Sequence, residues 1–108
     1  VGVQAEDSNQ TTITNGTSAS SDDSRSASGA VYVYKRNTDN SSWAQESYIK
    51  AANNDADDGF YKVTLSGDTL AVTAESEDSN QTTITNGTSA SSNNSNDQSG
   101  AVYVYLVQ

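Results

Sequence analysis

The sequence contains no cysteine, no histidine, no methionine and no proline. Without Cys and His, no thiolate or imidazole is present for a structural zinc site, and no Ser–His–Asp or Cys–His nucleophile system can form within one chain. Without Cys, disulfides cannot report the redox compartment. Positive charge is scarce too: 5 Lys and Arg stand against 14 Asp and Glu, a formal net charge of −9. Phosphate binding needs clustered cations, so this balance argues against nucleic acid and against an anionic membrane surface as partners. No apolar run approaches the roughly 18 residues of a spanning helix, and no membrane insertion is expected.

Large apolar residues are also few. Leu, Ile, Val and Phe together number 16 of 108. With a high net charge, that composition ordinarily marks disorder. Their placement points the other way, because all but Ile13 and Ile84 fall in short β-rich segments. The chain reads as one ordered all-β domain carrying very long polar loops.

What is present is a duplication. "EDSNQTTITNGTSASS" occurs at 6–21 and again at 77–92, and "SGAVYVY" at 28–34 and 99–105, both at an offset of 71 residues. Strand signals fall at Val1–Gln4, Ala30–Arg36, Trp43–Ala51, Phe60–Ser66, Thr69–Ala74 and Ala101–Val107. "SGD" at 66–68 reads as a hairpin turn with Gly67 at positive φ. "NTDNSS" at 37–42 and "NNDADDG" at 53–59 read as short connections. No 3.6-residue apolar period occurs, so no helix is expected. In "AVYVYKR", Val31 and Val33 face one side while Tyr32 and Tyr34 face the other. A strand with two such faces predicts a second sheet stacked on the first; a single sandwich with an aromatic outer face is the other reading.

Read from Phe60, one unit comprises four strands in about 71 residues. The chain then holds the second half of one unit in 1–59 and the first three strands of the next in 60–108. "FYKVTLSGDTLAVTAESEDSN", a Gly-Ala-Val-Tyr-Val strand and "WAQESYIKA" together resemble FG-GAP repeats, the blades of integrin α-subunit β-propellers and of bacterial secreted or surface proteins. Phe60, Leu65, Ser66, Gly67, Asp68, Leu70, Ala71 and Val72 match the family pattern, as do Gly100, Ala101 and Val102, with Gly29, Ala30 and Val31 in the other copy. Tyr61, Thr73 and Glu75 depart from it, as do Val3 and Gln4. The resemblance implies antiparallel four-stranded blade-like sheets. At about 1.5 repeats in permuted order, no closed propeller is expected of a ring that typically needs four to eight blades.

No residue set points to catalysis. Glu46, Asp68 and Glu75 have no spacing that selects a carboxylate pair. Asn53, Asp55, Asp57 and Asp58 are candidate calcium ligands, as alternating hard oxygen donors; a solvated acidic turn is the plainer reading. No cofactor is required. Asn9, Asn15, Asn40, Asn80, Asn86 and Asn93 head Asn-x-Ser/Thr sequons and are candidate glycan acceptors in an exported chain. Trp43, Tyr48 and Tyr61 are a candidate sugar-stacking platform, against ordinary packing. Val1, Val3, Val31, Tyr32, Val33, Tyr34, Val102, Tyr103, Val104 and Tyr105 are the expected assembly strands, since incomplete units leave edges that recruit other chains.

The expectation is a non-enzymatic extracellular or cell-surface structural protein. It would self-associate head to tail, as ring or filament, or against neighbouring repeats of a longer chain. A cell-surface adhesion or ligand-binding module, integrin-like or lectin-like and calcium-dependent, is the alternative. Any export signal would have been removed or would lie outside this sequence.

Overall fold

Alternation along the two AVYVY segments sets the architecture. The computed structural model describes residues 1–107; Gln108, the last residue of the expected 60–108 segment, lies outside the described residues. There are seven strands: β1 (Gly2–Val3), β2 (Ile13–Asn15), β3 (Ala30–Arg36), β4 (Trp43–Ile49), β5 (Phe60–Ser66), β6 (Thr69–Ala74) and β7 (Ala101–Leu106). No helix occurs among the described residues. The strands form two antiparallel sheets, ordered β1-β3-β4-β2 and β5-β6-β7, and neither closes into a barrel or propeller.

The expected strands are present with shorter ends. Val1–Gln4 contracts to Gly2–Val3, Trp43–Ala51 stops at Ile49, and Ala101–Val107 stops at Leu106. Val1 still joins the first sheet, its ammonium donating to Tyr32 O at 2.7 Å and its carbonyl accepting from Tyr32 N at 2.8 Å. One element differs in kind. The first sheet reaches four strands by recruiting Ile13–Asn15 from the polar loop, which pairs with the outer edge of β4. The second sheet stops at three.

Residues paired across a ladder share a face. Val31 opposes Ile49, and Tyr32 opposes Tyr48, so the first sheet has a valine face and a tyrosine face. In the second sheet Tyr103 opposes Val72 and Tyr105 opposes Leu70, while Val102 opposes Thr73 and Val104 opposes Ala71. The core lies between the valine face of the first sheet and the tyrosine face of the second. It joins Val31, Ile49 and Ala51 to Phe60, Leu70, Val72 and Ala74, with Val33, Tyr103 and Tyr105 packed on it. Phe60 meets Tyr103 edge-on at 5.2 Å between ring centroids, a favoured aromatic geometry. The two sheets therefore stack front to back, like faces of a repeat rather than like mirror halves of a sandwich.

Close approach at β5 depends on two glycines. A Cβ on Gly2 would lie 1.6 Å from the Tyr61 carbonyl oxygen, and one on Gly29 would lie 2.4 Å from that of Phe60. Gly29 also sits at φ +85, a region L side chains disfavour. Gly100, its duplicate, has φ +76 but room, since a Cβ there would stand 3.5 Å from the nearest atom. Gly29→Ala should therefore cost about 2–4 kcal/mol, combining backbone strain with a forced shift of β5. Gly100→Ala should cost only the strain, about 1 kcal/mol or slightly more. Urea denaturation of both variants checks the ordering; equal losses would show that the sheets do not meet closely at Gly29.

Candidate functional site

The duplicated polar words are hydrogen-bonded structures, not merely a hydrated coat. In the first copy, Gly29 N donates to Glu6 O at 3.0 Å, and Ser28 Oγ reaches Glu6 O and Ser8 O at 3.2 Å each. Arg25 N donates to Asp7 O at 2.6 Å, and Ala27 N to the Asp7 carboxylate at 2.7 Å. The second copy repeats each contact. Gly100 N donates to Glu77 O at 2.8 Å, Ser99 Oγ to Glu77 O at 3.1 Å and Ser79 O at 2.7 Å, Asn96 N to Asp78 O at 2.8 Å, and Gln98 N to the Asp78 carboxylate at 2.7 Å. Each copy thus folds "EDS" against "SGA" as a polar clasp. Most of 8–27 and 79–98 is exposed, as expected, but Ser8 and Ser79 are buried. The clasp was hidden in the sequence because Ser, Asp and Asn carry loop statistics whether solvated or internally bonded.

The copies differ where β4 intervenes. Lys50, 1% exposed, directs its ammonium at Glu6 Oε2 (2.6 Å), Ser28 Oγ (2.7 Å) and Gly29 O (2.6 Å). Three N–H donors meet three acceptors, which satisfies the group completely. Tyr48, fully buried, donates to Glu6 Oε1 at 2.7 Å. Burial pushes the Lys50 ammonium below its ordinary pKa, while the Glu6 carboxylate pulls it back up. Burial pushes the Tyr48 hydroxyl upward, and its hydrogen bond to Glu6 adds to that. In the second copy the equivalent carboxylate, Glu77, is 3% exposed and has no ion-pair partner among the described residues. It accepts from Asn53 Nδ2 at 2.8 Å and from Ser79 N at 3.1 Å.

The segment carrying the candidate calcium ligands is a junction between the two loops. Asn53 donates to Glu77 and to Ser91 O at 2.7 Å, and its Oδ1 accepts from Tyr103 OH at 2.5 Å. Asn54 bonds the first loop through Ser8 O at 2.8 Å and Gln10 O at 2.9 Å. Asp55 accepts from Asn94 Nδ2 at 2.6 Å, Asp57 is exposed at φ +63, and Asp58 is buried with Oδ2 on Asp55 N at 2.9 Å. Among the described residues, no group of three or more carboxylates is arranged to hold a metal.

The other candidates are scattered. Trp43 is exposed beneath the Arg36 guanidinium, 4.8 Å from its centroid; Tyr48 is buried; Tyr61 lies on the other sheet. They form no common platform. Glu46 pairs with Lys35, Glu75 with Lys62, and Asp68 sits in the β5–β6 turn, its carbonyl accepting from Val107 N. Asn9, Asn15, Asn40, Asn80, Asn86 and Asn93 are all exposed. Comparison with protein-family models, curated proteins and solved structures finds no match for this chain.

Two measurements follow from this geometry. Lys50→Met strands the Glu6 carboxylate and should cost about 3–5 kcal/mol in urea unfolding. Asp58 gives a pH signature. Burial, reinforced by Asp55, Glu77 and Asp78, raises it from 3.8 to about 6. Between those values the folded state holds a proton that the unfolded state has released, so this group's contribution to stability falls as pH rises from about 4 to about 6. Asp58→Asn should stabilise the fold at pH 7 by on the order of 1–2 kcal/mol. That gain should vanish near pH 4, as read from melting temperatures across the range.

Proposed function

We propose that this chain is a non-enzymatic structural module of the FG-GAP-like β-repeat type, working outside the cell, which associates with further units of its own kind through its sheet faces. One observation carries the reading. Val31 is 1% exposed, packed in the core, whereas its duplicate Val102 is 66% exposed. Inside the chain, a valine face is covered by a tyrosine face. The second sheet presents the same valine face outward, with Val102, Val104 and Leu106 bare, and the first sheet leaves Tyr34 exposed on its outer tyrosine face, where Tyr48 is buried. An exposed apolar strip of this kind marks an interaction surface. The two free faces are unlike, so their union is heterologous and propagates head to tail.

The external contact would be shallower than the internal one. Thr73 stands where the first sheet has Gly2, and its side chain blocks an approach as close as that of Tyr61 to Gly2. Six exposed sequons support a hydrophilic, glycan-accepting coat around such a stack. The adhesion reading draws less support, because Asn53 and Asp58 spend polar atoms on internal bonds and Tyr48 is buried. Sedimentation at rising concentration tests the proposal. The intact chain should associate, and Val102→Glu with Val104→Glu should weaken this at least tenfold, about 1.4 kcal/mol, while circular dichroism stays unchanged. A chain that remains monomeric at high concentration overturns it.

A further inference from the structure

The second copy contains a slot the width of one strand. In the first sheet, β4 lies between β3 and β2, and the polar loop grips it. Gly16 N donates to Glu46 O at 2.7 Å, and Gln45 Nε2 reaches Gly16 O and Ser18 O at 3.1 and 2.9 Å. In the second sheet β7 holds the place of β3, and its outer edge is unpaired among the described residues. The duplicate of β2, at 84–86, forms no strand, and Ile84 is 91% exposed. A cleft of about 840 Å³ is lined from the second copy by Tyr103, Tyr105, Ile84 and Thr85, and from the first half of the chain by Ile13 and Lys50. Glu77 and Ser79 lie in its wall.

We propose that this cleft is a docking site for an extended segment of β4-like chemistry, carrying a Tyr and a Lys two residues apart. The first copy specifies the register and the contacts. Val31 opposes Ile49, Tyr32 opposes Tyr48 and Val33 opposes Ser47. The docked strand therefore runs antiparallel to β7, with its Ile opposite Val102, its Tyr opposite Tyr103 and its Ser opposite Val104. Its Lys ammonium takes Glu77, Ser99 Oγ and Gly100 O, the duplicates of the three Lys50 acceptors. Its Tyr hydroxyl takes the other Glu77 oxygen. The Asn53 amide, which now spans Glu77 and Ser91, is the placeholder that this lysine displaces. Backbone pairing supplies affinity here, and the buried charge pair supplies selection. The site uses the hydrogen-bonding edge of β7, whereas face stacking uses its outward side, on which the docked Ile would lie beside Val102.

A synthetic peptide of sequence SWAQESYIKAA, matching residues 42–52, tests the proposal against the intact chain. Titration followed by amide chemical shifts should map binding to 100–106 and 77–79. Replacing the peptide lysine with norleucine keeps its length and removes its charge; affinity should fall at least tenfold. Glu77→Gln should weaken the parent peptide by a similar factor and add little further loss with the norleucine peptide. The norleucine arm uses the unaltered chain, so it stands even if Glu77→Gln fails to fold. Absence of binding at millimolar peptide, indifference to the norleucine change, or shifts confined to β1 or to the outward valine face overturns the inference. A chain that binds the peptide yet stays monomeric refutes only the face-stacking reading, and one that self-associates without binding it refutes only this one.

Discussion

The ammonium of Lys50 is the point on which the first half of the molecule converges. At 1% exposure the group is shut off from bulk solvent, so its charge must be compensated by placed acceptors, and the three come from different parts of the chain. Glu6 belongs to the polar loop, Ser28 to the loop's return, and Gly29 to the entrance of β3. Satisfying one group fixes the loop's two ends against β4. It also fixes Gly29, whose missing side chain lets Phe60 approach and the second sheet seat. A buried ion pair contributes little net stability by itself, but it penalises every arrangement that leaves it incomplete. With few aliphatic residues to specify a core, the fold leans on this kind of polar discrimination.

The duplication exposes how far context governs local sequence. "ITN" is a strand at 13–15 and irregular at 84–86, with every residue the same. The difference is β4: Ile13 has Ile49 to pair with, and Ile84 has nothing opposite. Strand propensity is largely a measure of what lies across the ladder, and the two copies differ in that respect. Gly29 and Gly100 repeat the lesson for sterics, since a Cβ on one would be pressed into a backbone and a Cβ on its duplicate would make only ordinary contact.

Strand positions were legible because apolar residues cluster in short β-branched runs, and the two-faced AVYVY segments pointed to a second sheet. The antiparallel all-β class, the turn at Gly67 and the absence of closure all followed. The clasps were not legible. Glu6, Ser8, Ser28 and Lys50 sit inside stretches whose composition is that of solvent-facing loops, and nothing local distinguishes an internally bonded serine from a hydrated one. The exact repetition of "EDS" and "SGA" at one spacing was the available signal, since two segments kept together at a fixed separation are segments that can touch. The acidic run at 53–58 carries a related ambiguity. Alternating oxygen donors suit a cation, but they equally suit amide and backbone N–H groups, and here Asn54 binds one loop while Asn53 and Asp55 bind the other.

Charge bears on any assembly built from such units. A net charge of −9 sets like chains against each other, yet it is not spread evenly over the surfaces that would meet. The outward face of the second sheet carries Val102, Val104 and Leu106 with their ladder partners Thr73, Ala71 and Thr69, none of them acidic; Asp68 and Glu75 border it, the latter paired with Lys62. Most other acidic residues lie in the loops and at 53–58. Repulsion between loops on successive units is screened beyond about 8 Å at physiological salt, whereas apolar contact acts at van der Waals range. In the proposed stack, this division would keep the flanks hydrophilic and leave the apolar strip for contact between units.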